Sequence, residues 1–175
     1  MDFLHDFWLI QAIGAIGLIF VIFAWNAKNR VSILSLQSLS TVLFFVHYVL
    51  LSAFAGAAMC LVVLGRNFVF AQKDKKWANH PAWFYVFALI SVAALIPFWE
   101  GWISILPVVA VIIGVHAMSK DRPADMRLYM LAACLLWVPY TIVVDSYSGL
   151  LNQIVGIVGI LMGMYRHDRK PVIPE

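Results

Sequence analysis

Charge is scarce in this chain. Of its 175 residues only 12% are Asp, Glu, Lys or Arg and 63% are hydrophobic, against about 25% charged and about 45–50% apolar in an ordinary soluble domain. Mean hydropathy is +0.90. Much of a small domain's surface stays in water, so this apolar excess excludes a water-soluble enzyme, a nucleic-acid module and a disordered tail. The chain reads as a membrane protein. Carboxylates are absent from the middle of every long apolar run, with Glu100 and Asp145 at run ends. A proton relay of Asp or Glu therefore has no residues to run on. Only His47 and His116 remain as titratable candidates, and any transport is expected to be facilitative.

Other absences narrow the chemistry further. The last apolar run, Leu150 to Tyr165, contains no lysine, which excludes a retinal Schiff base of the kind a buried Lys forms. There is no His-Glu-x-x-His and no Gly-x-Ser-x-Gly, the patterns a hydrolase would need. No catalytic residue, metal or cofactor is expected. The two cysteines, Cys60 and Cys134, lie inside apolar runs and read as small core residues. No basic stretch follows Met1 and Asp2, so the start is not read as a cleaved signal peptide.

A spanning helix needs about 20 mostly apolar residues. Such runs predict seven helices, near 8–25, 32–52, 56–72, 82–99, 102–118, 126–145 and 149–166. Charge tests the count. With seven spans, Lys28, Arg30, Lys73, Lys75, Lys76, Lys120, Arg122, Arg127, Arg166, Arg169 and Lys170 all fall on one side, while Asp2, Asp6, Glu100 and Asp145 fall on the other. Six spans would break this partition. The basic side is expected to be cytoplasmic, which puts the N-terminus outside and the C-terminus inside. That bias also accounts for the net charge of +3 without a nucleic-acid partner.

The sequence also repeats. At an offset of 92, Ala27-Lys-Asn-Arg30 falls on Ser119-Lys-Asp-Arg122 and Leu43-Phe-Phe-Val-His-Tyr48 on Leu135-Leu-Trp-Val-Pro-Tyr140; one residue later Gly56 meets Gly149. The expected organisation is 3+1+3: a three-helix bundle over 1–76, a linking span over 77–101 and a second bundle with a basic tail over 102–175. One linking span gives both bundles the same orientation. Parallel repeats of this kind occur in transporters, with substrate held near the midplane.

That arrangement resembles the SWEET and PQ-loop sugar-transporter architecture. More specifically, Gln11, Gly14, Arg30, His47-Tyr48, Ala55-Gly56-Ala57 and Arg66-Asn67 resemble the YgjV family of small bacterial inner-membrane proteins, over roughly residues 8–170. The resemblance implies fold and location more than activity. The sugar transporters bend at prolines in helices 1, 2, 5 and 6; here only Pro107 and Pro139 match. Gly14 and Gly17 are expected to act as hinges in helix 1, and the second bundle to be the moving part.

Polar residues inside spans are the candidate site. In helix 2, Gln37, Ser40, Thr41, Phe44, His47 and Tyr48 share one face at helical spacing, which reads as a cavity lining. Arg66 has two open readings: a snorkelling anchor, or a donor fork turned to a cavity and suited to an anionic or carbonyl-rich ligand. Asn67 follows it with both donor and acceptor atoms. By depth, His47, Tyr48, Tyr140, Asn152, Gln153 and Gln11 form an outer layer and Gln37, Thr41, Arg66 and Asn67 an inner one, with Trp137 between. An aromatic plate flanked by amides suits a small polar solute such as a sugar or nucleoside. The expected function is therefore a SWEET-like small-solute transporter of the inner membrane, compatible with a homo-oligomer, its partners being the solute and the bilayer. The alternative is a receptor or assembly module built on the same bundle, as in KDEL-receptor-like proteins.

Overall fold

The computed structural model describes residues 2–26, 30–120 and 122–167, with side chains over 6–24, 31–120 and 122–166. Within these residues the chain forms seven α-helices: α1 (Asp2–Asn26), α2 (Arg30–Leu50), α3 (Phe54–Phe70), α4 (Ala82–Leu95), α5 (Ile105–Ser119), α6 (Pro123–Val143) and α7 (Tyr147–His167). Single 3₁₀ turns occur at Ile96–Phe98 and Trp102–Ser104. Each apolar run of the sequence becomes one helix. Five stretches are long and apolar enough to cross a bilayer: Asp6–Ala24, Val31–Leu50, Trp102–Ser119, Pro123–Val143 and Tyr147–Arg166. Phe54–Phe70 and Ala82–Phe98 are shorter apolar helices. The protein is an all-helical, multi-pass membrane protein. Lys28, Asp121, Arg169, Lys170, the side chain of Arg30 and most of the Ala27–Arg30 motif lie outside the described residues.

Two hairpins are built alike. Two residues beyond the ends of α2 and α6 stand Ser52 and Asp145, both non-glycine residues at positive φ, 58° and 53°. Around Ser52, Ala53 N–H donates to Tyr48 O at 2.9 Å and Ser52 N–H to Val49 O at 3.0 Å. Around Asp145, Ser146 N–H donates to Thr141 O at 2.9 Å and Asp145 N–H to Ile142 O at 3.2 Å. Each pair is a Schellman closure, which satisfies the last carbonyls of a helix by one left-handed residue.

Helix boundaries recur at an offset of 93: Asn26 and Ser119 end helices, Arg30 and Pro123 start them, Leu50 and Val143 end them, and Phe54 and Tyr147 start them. The sequence match at 92 is one residue short of this register. The extra residue pairs His47 with Tyr140 and Phe44 with Trp137, where the sequence alignment pairs Tyr48 with Tyr140.

Six helices close a ring. α1 packs on α2, α2 on α3, α3 on α5, α5 on α6, α6 on α7 and α7 back on α1. α4 lies outside it against α3 and α5, and only its Phe87 and Ser91 are buried. Phe87 joins Met59, Val62, Val69 and Phe70 of α3 and Val108, Val111 and Val115 of α5 in one apolar cluster. Large apolar side chains face outward around the ring, among them Ile19, Phe23, Leu61, Leu135 and Leu151, an exposed apolar surface that suits lipid rather than water.

Candidate functional site: a cavity inside the ring

The ring encloses a cavity of about 650 Å³. All six ring helices line it and α4 contributes nothing. Its lining runs from Lys73, Met118, Lys120 and Met126, where α3 and α5 finish and α6 begins, to Tyr48 and Trp137. At the first end the Lys73 ammonium donates to Met118 O at 3.3 Å. At the other, the Tyr48 and Trp137 rings stack with centroids 6.0 Å apart and form the floor.

The lining is paired in the same register as the helix ends. Ile33 and Met126, Gln37 and Met130, Thr41 and Cys134, Phe44 and Trp137, Cys60 and Gln153, and Asn67 and Ile160 are each 93 apart, and both members of every pair face the cavity. The shape is thus matched across the ring while the chemistry is not. Polar Gln37, Thr41 and Asn67 of α2 and α3 stand opposite Met130, Cys134 and Ile160.

The polar wall is organised around Arg66. Its Nε and Nη2 donate to Asn67 Oδ1 at 3.3 and 3.0 Å. Asn67 Nδ2 in turn donates to Ser38 Oγ at 3.4 Å, and Ser38 Oγ donates to Leu34 O at 2.7 Å. The guanidinium fits because α5 carries a glycine beside it: a Cβ on Gly114 would stand 2.9 Å from Arg66 Nη1. Arg66 is 8% exposed, and no carboxylate pairs with it among the described residues.

Beyond the floor the ring is shut. His47 Nδ1 lies 2.8 Å from Ile10 O, a group that only accepts, so Nδ1 carries the proton of a neutral ring. Nε2 then accepts from Ser146 Oγ at 2.8 Å, with Ser148 Oγ at 3.3 Å. Gln11 Nε2 donates to Asp145 O at 2.8 Å, and Gln11 Oε1 accepts from Ser148 N–H at 3.0 Å. On the opposite side Gly56 N–H donates to Tyr140 Oη at 2.7 Å, and the hydroxyl donates to Ala53 O at 3.4 Å. Glu100 accepts from the Phe54 and Ala55 N–H groups. The free N–H groups that open α3 are therefore capped by Glu100 and Tyr140 from other segments, whereas at the start of α7 Gln11 takes Ser148 N–H and Ser146 Oγ takes Gly149 N–H locally.

A family model described as a bacterial inner membrane protein matches residues 8–171, nearly the whole described chain. The chain belongs to the YgjV family. No curated protein and no solved structure matches it. This YgjV-family chain is thus placed in the bacterial inner membrane as a multi-pass protein.

Of the residues singled out from the sequence, Gln37, Thr41, Tyr48, Arg66, Asn67, Trp137, Asn152 and Gln153 line the cavity of this YgjV-family protein. His47 and Tyr140 do not: both are 0% exposed and sit in the closed end. Gly14 and Gly17 lie within the unbroken α1, where each permits a close approach. A Cβ on Gly14 would collide with Ser148 and stand 3.1 Å from His47 Nδ1, and one on Gly17 would stand 3.2 Å from the Phe44 ring. Pro107 is in the first turn of α5, where its missing N–H leaves no carbonyl short. Pro139 lies inside α6 and deprives the Leu135 carbonyl of its helical donor. His116 packs edge-on to Tyr129 at 4.7 Å, away from the cavity.

Several contributors were not legible. Gly114, the methionines of the apolar wall and the capping role of Glu100 carried no local signal. Cys60 and Cys134, read as core residues, both face the cavity and are free thiols; only the pairing of Cys134 with Thr41 could have pointed there.

Proposed function

We propose that this protein is a SWEET-like transporter that moves a small polar solute across the inner membrane by alternating access. The two moving bodies are the bundles over 1–76 and 102–175, and 77–101 is a linking span. The observation that carries the reading is the cavity itself: it lies where the bundles meet, and its lining residues pair at the same 93-residue register as the helix ends. Ring contacts support the same division, since exchanging α1, α2 and α3 for α5, α6 and α7 maps α1–α7 onto α5–α3. A parallel repeat with a central cavity is a transporter arrangement. The short α3 and α4 are read as spans because α3 is a full member of the ring and α4 packs along it.

The basic end, with Lys73 and Lys120 at the mouth, is read as cytoplasmic by the positive-inside bias. The N-terminus is then outside, the C-terminus inside, and the structure corresponds to an inward-open state. The opposite end would open by parting the His47, Gln11 and Tyr140 contacts. No Asp or Glu lines the cavity among the described residues, which favours facilitated movement. The test is uptake of radiolabelled sugars and nucleosides into proteoliposomes. Gln37→Ala and Asn67→Ala should each reduce flux several-fold; unchanged flux would remove both from the pocket, and no flux of any solute would count against transport.

One observation favours a second reading. The cavity is blind beyond Tyr48 and Trp137, as a ligand-binding receptor's would be. A state open at the Ser146 end, trapped by added solute, separates transporter from receptor.

A further inference from the structure

We infer that the cavity selects a hydroxylated organic anion, of the sugar-acid or sugar-phosphate class, over the neutral sugar of the same skeleton. The inference rests on the transport reading only for its route; the binding chemistry stands by itself. Arg66 is buried beside the cavity with Nε and Nη2 on Asn67, while Nη1 has no hydrogen-bond acceptor among the described residues. A buried cation with no counter-charge is costly, and an oxyanion brought beside it offsets much of that cost. Guanidinium presents a planar fork that fits carboxylate or phosphate oxygens. Lys73 and Lys120 at the mouth add a positive field along the basic approach. Among the described residues, no Asp or Glu lines the path.

The other end of the ligand is set by amides. Gln37, Asn152 and Gln153 line the cavity, and their side chains make no hydrogen bond to protein among the described residues. Asn152 Oδ1 is a buried acceptor with no partner. A carbonyl oxygen in that position calls for a donor, which a hydroxyl supplies. Asn152 pairs in register with Met59, seven residues before Arg66, so the amide and the guanidinium sit about 10 Å apart along the axis. That spacing suits a chain of five or six carbons with an oxyanion at one end and hydroxyls at the other. Tyr48 and Trp137 floor the cavity on the amide side, and sugar C–H faces pack on such rings.

The full chain in nanodiscs tests this in two ways. First, binding of glucose, gluconate and glucose 6-phosphate is measured by calorimetry. At least one anion should bind about tenfold or more tightly than glucose, the worth of one charge-assisted hydrogen bond. Arg66→Gln should erase the difference and Arg66→Lys keep part of it. Second, in a Cys60→Ala chain, Cys134 is labelled by two methanethiosulfonates differing only in a sulfonate or a quaternary ammonium head. Relative to each reagent's rate with a free thiol in solution, the sulfonate should be favoured about tenfold, as a cation lining the same poorly screened cavity dictates, and the preference should shrink in Arg66→Gln. Equal labelling rates after that normalisation, or glucose bound as well as either anion, would overturn the inference with no variant required. Uptake of the same three solutes keeps the two readings apart. Neutral-sugar flux without anion preference sinks the anion site and leaves transport standing; anion selectivity without flux does the reverse.

Discussion

His47 and Tyr140 hold equivalent places in the two halves of the ring, and each reaches across to the start of the other half's third helix. His47 meets Ser146 just before α7, and Tyr140 meets Ala53 and Gly56 at the start of α3. Ala53 and Ser146 are themselves 93 apart, so the two contacts are images of each other. Both side chains are wholly buried. Around them the closed end also holds the Gln11 bonds to Asp145 and Ser148 and an apolar cluster in which Tyr48, Ala53, Ala55 and Ala57 pack with Tyr140 and Trp137, so opening this end means parting all of these together.

His47→Gln should be milder than His47→Leu. A glutamine can donate to Ile10 O and accept from Ser146 as the neutral imidazole does, whereas leucine strands both groups. Hydrogen bonds between membrane helices are worth about 0.6 kcal/mol on average and up to about 1.7 kcal/mol. Thermal unfolding in detergent should show His47→Leu lower in Tm and His47→Gln close to the parent. Equal losses would mean that packing, not the two hydrogen bonds, is what His47 supplies.

Gly56→Ala should destabilise by about 1–3 kcal/mol, as overpacking does. The added methyl would stand 2.8 Å from the Tyr140 ring, a rigid group held by its own hydrogen bonds. Pairing the change with Tyr140→Leu should recover much of the loss, and a double-mutant cycle on Tm reads the coupling. Additive effects would show that the two do not press on each other.

The helix 2 stripe shows how far the sequence reached. Gln37, Thr41, Phe44 and Tyr48 do share the cavity face, because side-chain periodicity depends only on helix geometry. His47 was drawn in by the same periodicity and yet lies beyond the floor, because its neighbours Ser146 and Ser148 are set by where α7 begins, a tertiary fact. The repeat was visible from Arg30/Arg122 and Tyr48/Tyr140, but its register slipped by one residue. Chemical likeness outvoted position there: a tyrosine aligned with a tyrosine although the chain places it against a histidine. Gly114 was invisible for a related reason, since its function exists only in what Arg66 does from another helix.

Asn152→Leu separates stability from binding. Its Oδ1 is a buried acceptor without a partner, and replacing such a group by an apolar one is neutral or stabilising. Tm should hold or rise by a degree or two, on the order of what about 0.5 kcal/mol gives a chain of this size. Affinity for gluconate or glucose 6-phosphate, whichever the parent chain binds more tightly, should fall about tenfold, the worth of a well-placed hydrogen bond. A drop in Tm together with unchanged binding would assign Asn152 to packing.

Sidedness of Cys134 tests the open end directly. In a Cys60→Ala chain it is the remaining thiol, facing the cavity above the Tyr48 and Trp137 floor. On the proposed topology the basic mouth faces the reagent in inside-out vesicles, and a membrane-impermeant maleimide should modify Cys134 readily there. In right-side-out vesicles the path crosses the Ser146, His47 and Gln11 contacts, so labelling should be at least about tenfold slower, a ratio equivalent to roughly 1.4 kcal/mol of closure. His47→Ala removes one of the two reciprocal contacts and should speed labelling from that side alone. Fast labelling from the Ser146 side in the parent chain would show that the hydrogen-bonded end is not a seal, and alternating access would lose its closed gate.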